Sequence, residues 1–242
     1  MTTQTDAANS GQTVLVHAEI GADGALRPIV AELLGAAATV GVPEAVLVTG
    51  AEGRDAAVAR LGEYGATRVH VLVADDAATT LGDAAVQALA AATARTAPVA
   101  VLLSGSPESR AVAGRLSVRA RGPVCADAVG LRWADDEVIA RHSVFGGDYL
   151  SESTGEGGPR IITVRPGAVA DRAPAVEAPE VVELAAAELG PDATPREIDA
   201  RWRRWYEANR RVIGDDPHLL LPGTVLTSPV FTPHAGVDGP RP

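Results

Sequence analysis

The chain has 242 residues, enough for one or two domains with a buried core, and carries a formal charge of -10 with a pI near 4.9. Hydrophobic residues make up 46% but aromatics only 3%, and every basic residue is Arg, so the core must be built from Ala, Val, Leu and Ile. The acidic balance argues against nucleic acid or an anionic membrane as partner. Cys125 stands alone, which excludes a disulfide framework and a Cys-based metal site.

Residues 1–10 lack the basic and apolar regions of a secretory signal, and no run reaches the roughly 18 apolar residues of a membrane span. A cytoplasmic protein is expected. Strand and helix signals then alternate. Thr13 to Ala18 is a short apolar strand, followed by helical spacing from Leu26 to Val40. Ala45 to Thr49, Arg68 to Val73 and Pro98 to Leu103 are further strands. Helices are predicted over 53–64, 79–95 and 109–120. Continuous apolar strands separated by helices indicate an α/β fold, a mostly parallel sheet covered on both faces.

The pattern changes after Pro123. Ala128 to Trp133, Val138 to Val144, Asp148 to Ser153 and Arg160 to Val164 are strand-like and joined by turns. They are expected as antiparallel strands appended to, or continuing, the same sheet. The Pro- and Ala-rich stretch at 171–179 is expected as a linker, closing a first domain at 12–170. In the tail, Ile198, Trp202 and Trp205 fall at i, i+4 and i+7 beside Tyr206, which makes one aromatic helix face. Residues 229–242 are rich in Pro and Gly and expected to be disordered.

Candidate sites are few. The turn from Glu19 to Gly24 has the spacing G-x-x-G and not G-x-G-x-x-G, so a plain turn is the better reading. The junction at Ser104, Gly105 and Ser106 is more suggestive of cofactor binding. It puts hydroxyls and free backbone N–H groups at a helix start, where the helix dipole favours a phosphate or carboxylate. The plainer alternative makes Ser106 an N-cap, with Pro107 at the first helical position and Ser109 in support. The five histidines, His17, His70, His142, His218 and His234, fall on separate elements and are expected as satisfied core or edge residues. No nucleophile, acid/base pair or metal cluster stands out, so an enzyme is the less favoured reading.

Several stretches in order resemble the amino-terminal domain of the electron-transfer flavoprotein alpha subunit. They are Ala18 and Glu19 followed by Leu26 to Pro28, Leu61 to Val69, Ser109 to Leu116, Gly122 to Gly130, Gly146 and Gly147, and Thr163 to Gly167. Together they cover about residues 13–170. The resemblance implies an α/β layer domain that contacts a beta-type subunit in electron transfer. In that family FAD sits mainly in a following domain, and none of that domain's motifs follows Gly167. The expectation is therefore an alpha-like protein lacking the FAD domain, which does not retain FAD alone and acts in subunit association. Phe145 and Tyr149, within the antiparallel segment, are the expected interface anchors.

The stretch from Trp202 to Leu226 resembles the second half of a LysM module, with Val182 to Gly190 as its first helix and 180–228 as the module. The module is partial, and a folded LysM fragment without ligand binding is the favoured reading, its Trp202, Trp205 and Tyr206 face serving as packing. The alternative implied by the resemblance is an N-acetylglucosamine polymer as ligand, with Asp216, Leu220 and Gly223 as groove candidates. The rival functions are thus a peptidoglycan-binding protein and a nucleotide-binding α/β module using Ser104 to Ser109.

Overall fold

The computed structural model describes residues 11–50, 52–74, 82–184, 206, 207, 210–212 and 214. The chain separates into two units, Met1–Ala186 and Ala187–Pro242. In chain order the first unit contains β1 (Thr13–Ala18), α1 (Ile29–Val40), β2 (Val42–Thr49), α2 (Arg54–Glu63), β3 (Arg68–Val73), α3 (Asp83–Thr96), β4 (Ala100–Ser104) and α4 (Pro107–Ala120). There follow β5 (Val124–Ala128), β6 (Gly130–Ala134), β7 (Glu137–Val144), a short 3-10 turn (Phe145–Gly147), β8 (Tyr149–Ser153), β9 (Arg160–Val164) and β10 (Glu180–Glu183).

Seven strands form one parallel sheet in the order β10-β3-β2-β1-β4-β9-β5, and β6, β7 and β8 form a separate antiparallel sheet. The apolar runs are continuous because the large sheet is buried on both faces. Val14 and Val16 point into a core layer with Leu33 and Leu34 of α1. Leu15 between them points the other way, onto Leu89 of α3 and Val112 and Leu116 of α4. Period-two alternation thus survives as a choice between two apolar layers. The fold is α/β, as the strand–helix rhythm implies.

Four details differ from the sequence reading. Leu26 is not the start of α1, because it bridges back to Ile20 and the helix begins at Ile29. Residues 160–164, expected to be antiparallel, lie as β9 between β4 and β5 and pair in parallel with both. The run Ile161, Ile162, Thr163, Val164 is buried throughout, which suits an inner parallel strand better than an appended ribbon. The single strand expected from Ala128 to Trp133 is instead two, with the edge strand β5 ending at Ala128 and β6 starting at Gly130. β5 carries a bulge with Asp127 at φ 61, where Thr163 Oγ1 accepts a hydrogen bond from the Asp127 backbone N–H at 3.0 Å.

The fourth difference is the stretch after residue 170. Residues 171–179 are a packed strap and not a free linker. They cross α1 so closely that a Cβ on Gly35 would lie 2.0 Å from the Asp171 carbonyl oxygen, and on α2 a Cβ on Gly62 would lie 2.5 Å from that of Val176. The Val176 N–H donates to the Gly62 carbonyl at 2.8 Å. The strap delivers Glu180–Glu183 as an edge strand parallel to β3, where a helix beginning at Val182 was expected. Buried Leu184 and β-branched Val181 and Val182 favour this pairing. Ion pairs pin it: Arg68 bonds Glu180 at 2.7 Å and the buried Glu44 at 2.7 Å, and Glu44 takes a further 2.7 Å hydrogen bond from His70.

Candidate functional site

Leaving β1 the chain turns toward β2, whereas β4 lies on the other side of β1, so the strand order reverses between β1 and β4. In open parallel sheets the crevice at the carboxyl ends beside such a reversal is where ligands bind. A cavity of about 480 Å³ opens there, lined by His17, Glu19, Val48, Thr49, Glu108 and Ser109 among others. That volume lies within the range of small-molecule sites, about 300–1,000 Å³.

The polar centre of this crevice is the Glu19 carboxylate. Its Oε1 accepts hydrogen bonds from Ser104 Oγ at 2.6 Å, from Ser106 Oγ at 3.4 Å and from Ser109 Oγ. Its Oε2 lies 3.7 Å from Arg27 Nε, a charge contact longer than a hydrogen bond. The serines also order the start of α4. Ser106 is its N-cap and accepts from the Ser109 N–H at 3.1 Å, Pro107 holds the first helical position, and Ser104 Oγ accepts from the Ser106 N–H at 3.2 Å. The anion favoured at this helix start is therefore supplied by the chain itself.

His17 completes the group. Its Nδ1 is 3.4 Å from Ser109 Oγ and 4.0 Å from Glu19 Oε1. The single Ser109 hydroxyl proton goes to the carboxylate, so Nδ1–H donates to Ser109 Oγ and the Nε2 lone pair is left for the cavity. Burial pushes the His17 pKa below its ordinary value, and the Glu19 charge only partly opposes this, so the ring is neutral near pH 7. The serine is no hydrolytic nucleophile. Its hydroxyl is buried, fixed to Glu19, and sits in the first turn of α4.

Of the sequence candidates, Ser104 and Ser106 are thus brought together on Glu19. Gly105 packs instead against β9, where a Cβ would lie 3.1 Å from the Val164 carbonyl oxygen. His17, Glu19 and Arg27 were missed as site residues, whereas Ser109 entered the sequence reading as the end of the Ser104 to Ser109 junction and as support for the N-cap. The available signal was position: His17 and Glu19 close the first strand at its carboxyl end, where α/β sheets bind ligands.

Phe145 and Tyr149 form a second feature on the antiparallel sheet. Phe145 is 80% exposed and Tyr149 66%, and Leu150, the next residue of β8, is 62% exposed. The rings meet edge to face with centroids 5.8 Å apart. Phe145, Gly146 and Gly147 adopt φ values of 51, 72 and 106, a left-handed run that turns the Phe145 ring outward. Asp216, Leu220 and Gly223, with Trp202 and Trp205, lie outside the described residues. Among the described residues no three His, Cys, Asp or Glu side chains could hold a metal ion, and no helix is long and apolar enough to cross a membrane.

Residues 14–189 match the model of the electron transfer flavoprotein domain. The protein named electron transfer flavoprotein subunit alpha of Mycobacterium leprae (strain TN) is 37% identical over 163 residues, which is 67% of this chain and 50% of that relative. The protein of the same name in Mycobacterium tuberculosis (strain ATCC 25618 / H37Rv) is 37% identical over 164 residues, with the same coverage. The chain thus spans about half the length of the curated relatives it matches.

Proposed function

We propose that this chain, which belongs to the electron transfer flavoprotein family, acts as an alpha-type subunit whose first unit docks a beta-type subunit for electron transfer. The observation that carries this reading is the exposed pair Phe145 and Tyr149, with Leu150, on a chain that is only 3% aromatic. Exposed aromatics in a protein so poor in them are costly in water and effective as anchors, each worth about 2 kcal/mol or more when buried centrally in an interface. The Phe145 ring is held out by left-handed backbone at a non-glycine residue, a conformation that costs about 1–2 kcal/mol per residue. That cost marks a position where exposure has a use.

The start of α4 is closed to the pyrophosphate of FAD, the cofactor that the family resemblance implies. A dinucleotide needs its pyrophosphate at a helix start with free N–H groups. Here the α4 start faces the Glu19 carboxylate, and Glu52 and Glu108 also line the space. In this reading the first unit supplies subunit contact, and the flavin of the assembly is held elsewhere. The test is co-purification with a beta-type subunit, comparing the parent with Tyr149→Ala at unchanged melting temperature. A complex lost or at least about tenfold weaker in the variant is expected. No complex in the parent, or equal affinity in the variant, would overturn the proposal.

A further inference from the structure

We infer that the crevice at the carboxyl ends of β1 and β4 is a binding site for a small aliphatic amine in its protonated form. The subunit-contact reading plays no part in this inference. The cavity offers two acceptors that no described residue satisfies with a hydrogen bond. One is His17 Nε2, on a side chain that is 11% exposed and lines the cavity, with its Nδ1–H turned to Ser109. The other is Glu19 Oε2, whose nearest cation, Arg27 Nε, stays at 3.7 Å. Glu19 Oε1, by contrast, is saturated by the three serine hydroxyls.

Charge selects among the possible ligands. The side chains lining the cavity include Glu19, Glu52 and Glu108 against Arg27. The starts of α2, α3 and α4 also face it through Gly53, Gly82 and Ser109. Helix starts count for about half a positive charge each, so among the described residues the sum stays slightly negative and a further anion is opposed. An ammonium group has three donors and no acceptor, which complements an imidazole lone pair and a carboxylate oxygen. Ile20, Val48, Ala74, Ala84 and Val112 supply the apolar wall for an alkyl body.

Butylammonium is the probe, with butyrate and inorganic phosphate as the anionic controls at matched ionic strength. Titrated into the full chain at pH 7, butylammonium is expected to raise the melting temperature saturably and to bind in calorimetry, whereas butyrate and phosphate give no more than the salt effect. Glu19→Gln is expected to weaken butylammonium by at least about tenfold, the loss of one charge-assisted hydrogen bond. On the unmodified chain, amide NMR shifts induced by butylammonium should cluster at residues 17–21 and 108–112. That measurement decides the matter even if the variant does not fold. Absence of saturable binding, equal binding of butyrate or phosphate, or NMR shifts confined to other regions would overturn the assignment.

Discussion

Replacing Gly35 by Ala is the sharpest probe of the strap that closes the first unit. Two effects oppose each other. Alanine in mid-helix gains about 0.8–1 kcal/mol over glycine from propensity alone. Against that, the new Cβ would sit 2.0 Å from the Asp171 carbonyl oxygen, 2.5 Å from its carbonyl carbon and 3.0 Å from Arg172 Cα. All three are backbone atoms, so no side chain can swing away, and the strap must shift bodily by about an ångström or more to restore van der Waals contact.

That shift strains what the strap carries: the buried Val169 before it, the 2.8 Å bond from Val176 N–H to Gly62, and the β10–β3 pairing. Overpacking of this kind costs about 1–3 kcal/mol, so the net effect is a destabilisation of about 0–2 kcal/mol. For a unit of this size a loss of 1 kcal/mol lowers Tm by about 2–4 °C. Differential scanning calorimetry reads the loss, and limited proteolysis followed by mass spectrometry reads its location, with new cuts expected in 171–184. A variant that melts above the parent, with the strap still protected, would refute the close crossing.

Two further outcomes are expected. Burial by itself would raise the Glu44 pKa, but the hydrogen bond from His70 and the Arg68 charge outweigh it and hold the carboxyl below its ordinary value of 4.5. The unfolded chain then takes up that proton first, so the stabilisation is complete above about pH 4.5 and is lost as pH falls through the lower folded value. Glu44→Gln should lower Tm at pH 7 and flatten the fall of Tm below pH 4.5, and an unchanged acid slope would refute the assignment. The isolated chain should leave gel filtration without flavin absorbance, since the crevice presents carboxylates where a pyrophosphate would bind; a stoichiometric flavin spectrum would contradict this.

Much of the layered fold was legible because its signals are local. Strands β1 and β3 fall at the residues their apolar runs mark, and Ser106 and Pro107 open α4 as capping chemistry dictates. Where the sequence misled, the deciding contact was distant. Val182 has an unremarkable helical neighbourhood, yet its strand state follows from pairing with His70. Ile161 and Ile162 look the same whether their neighbours run parallel or antiparallel. The order β4-β9-β5 arises because the chain makes the β6–β8 excursion and then returns between two strands already placed. Phe145 and Tyr149 were marked by rarity and are exposed, but neither rarity nor exposure carries information about what would cover them.

The crevice shows most clearly why sequence alone stops short of chemistry. A Ser-Gly-Ser-Pro junction before a helix specifies hydroxyls, N–H groups and a favourable dipole, and those serve a phosphate or a carboxylate equally well. The choice between them is made by Glu19, which lies 85, 87 and 90 residues away along the chain from the serines that bind it. An internal carboxylate is fixed when the chain folds and loses no translational freedom in taking the site, so a free anion competes at a disadvantage that local concentration alone does not overcome. By filling the anion position, Glu19 also sets the tautomer of His17 through Ser109 and leaves acceptors where a nucleotide-binding crevice would offer donors. One side chain at the end of the first strand thus takes the anion position at the start of α4.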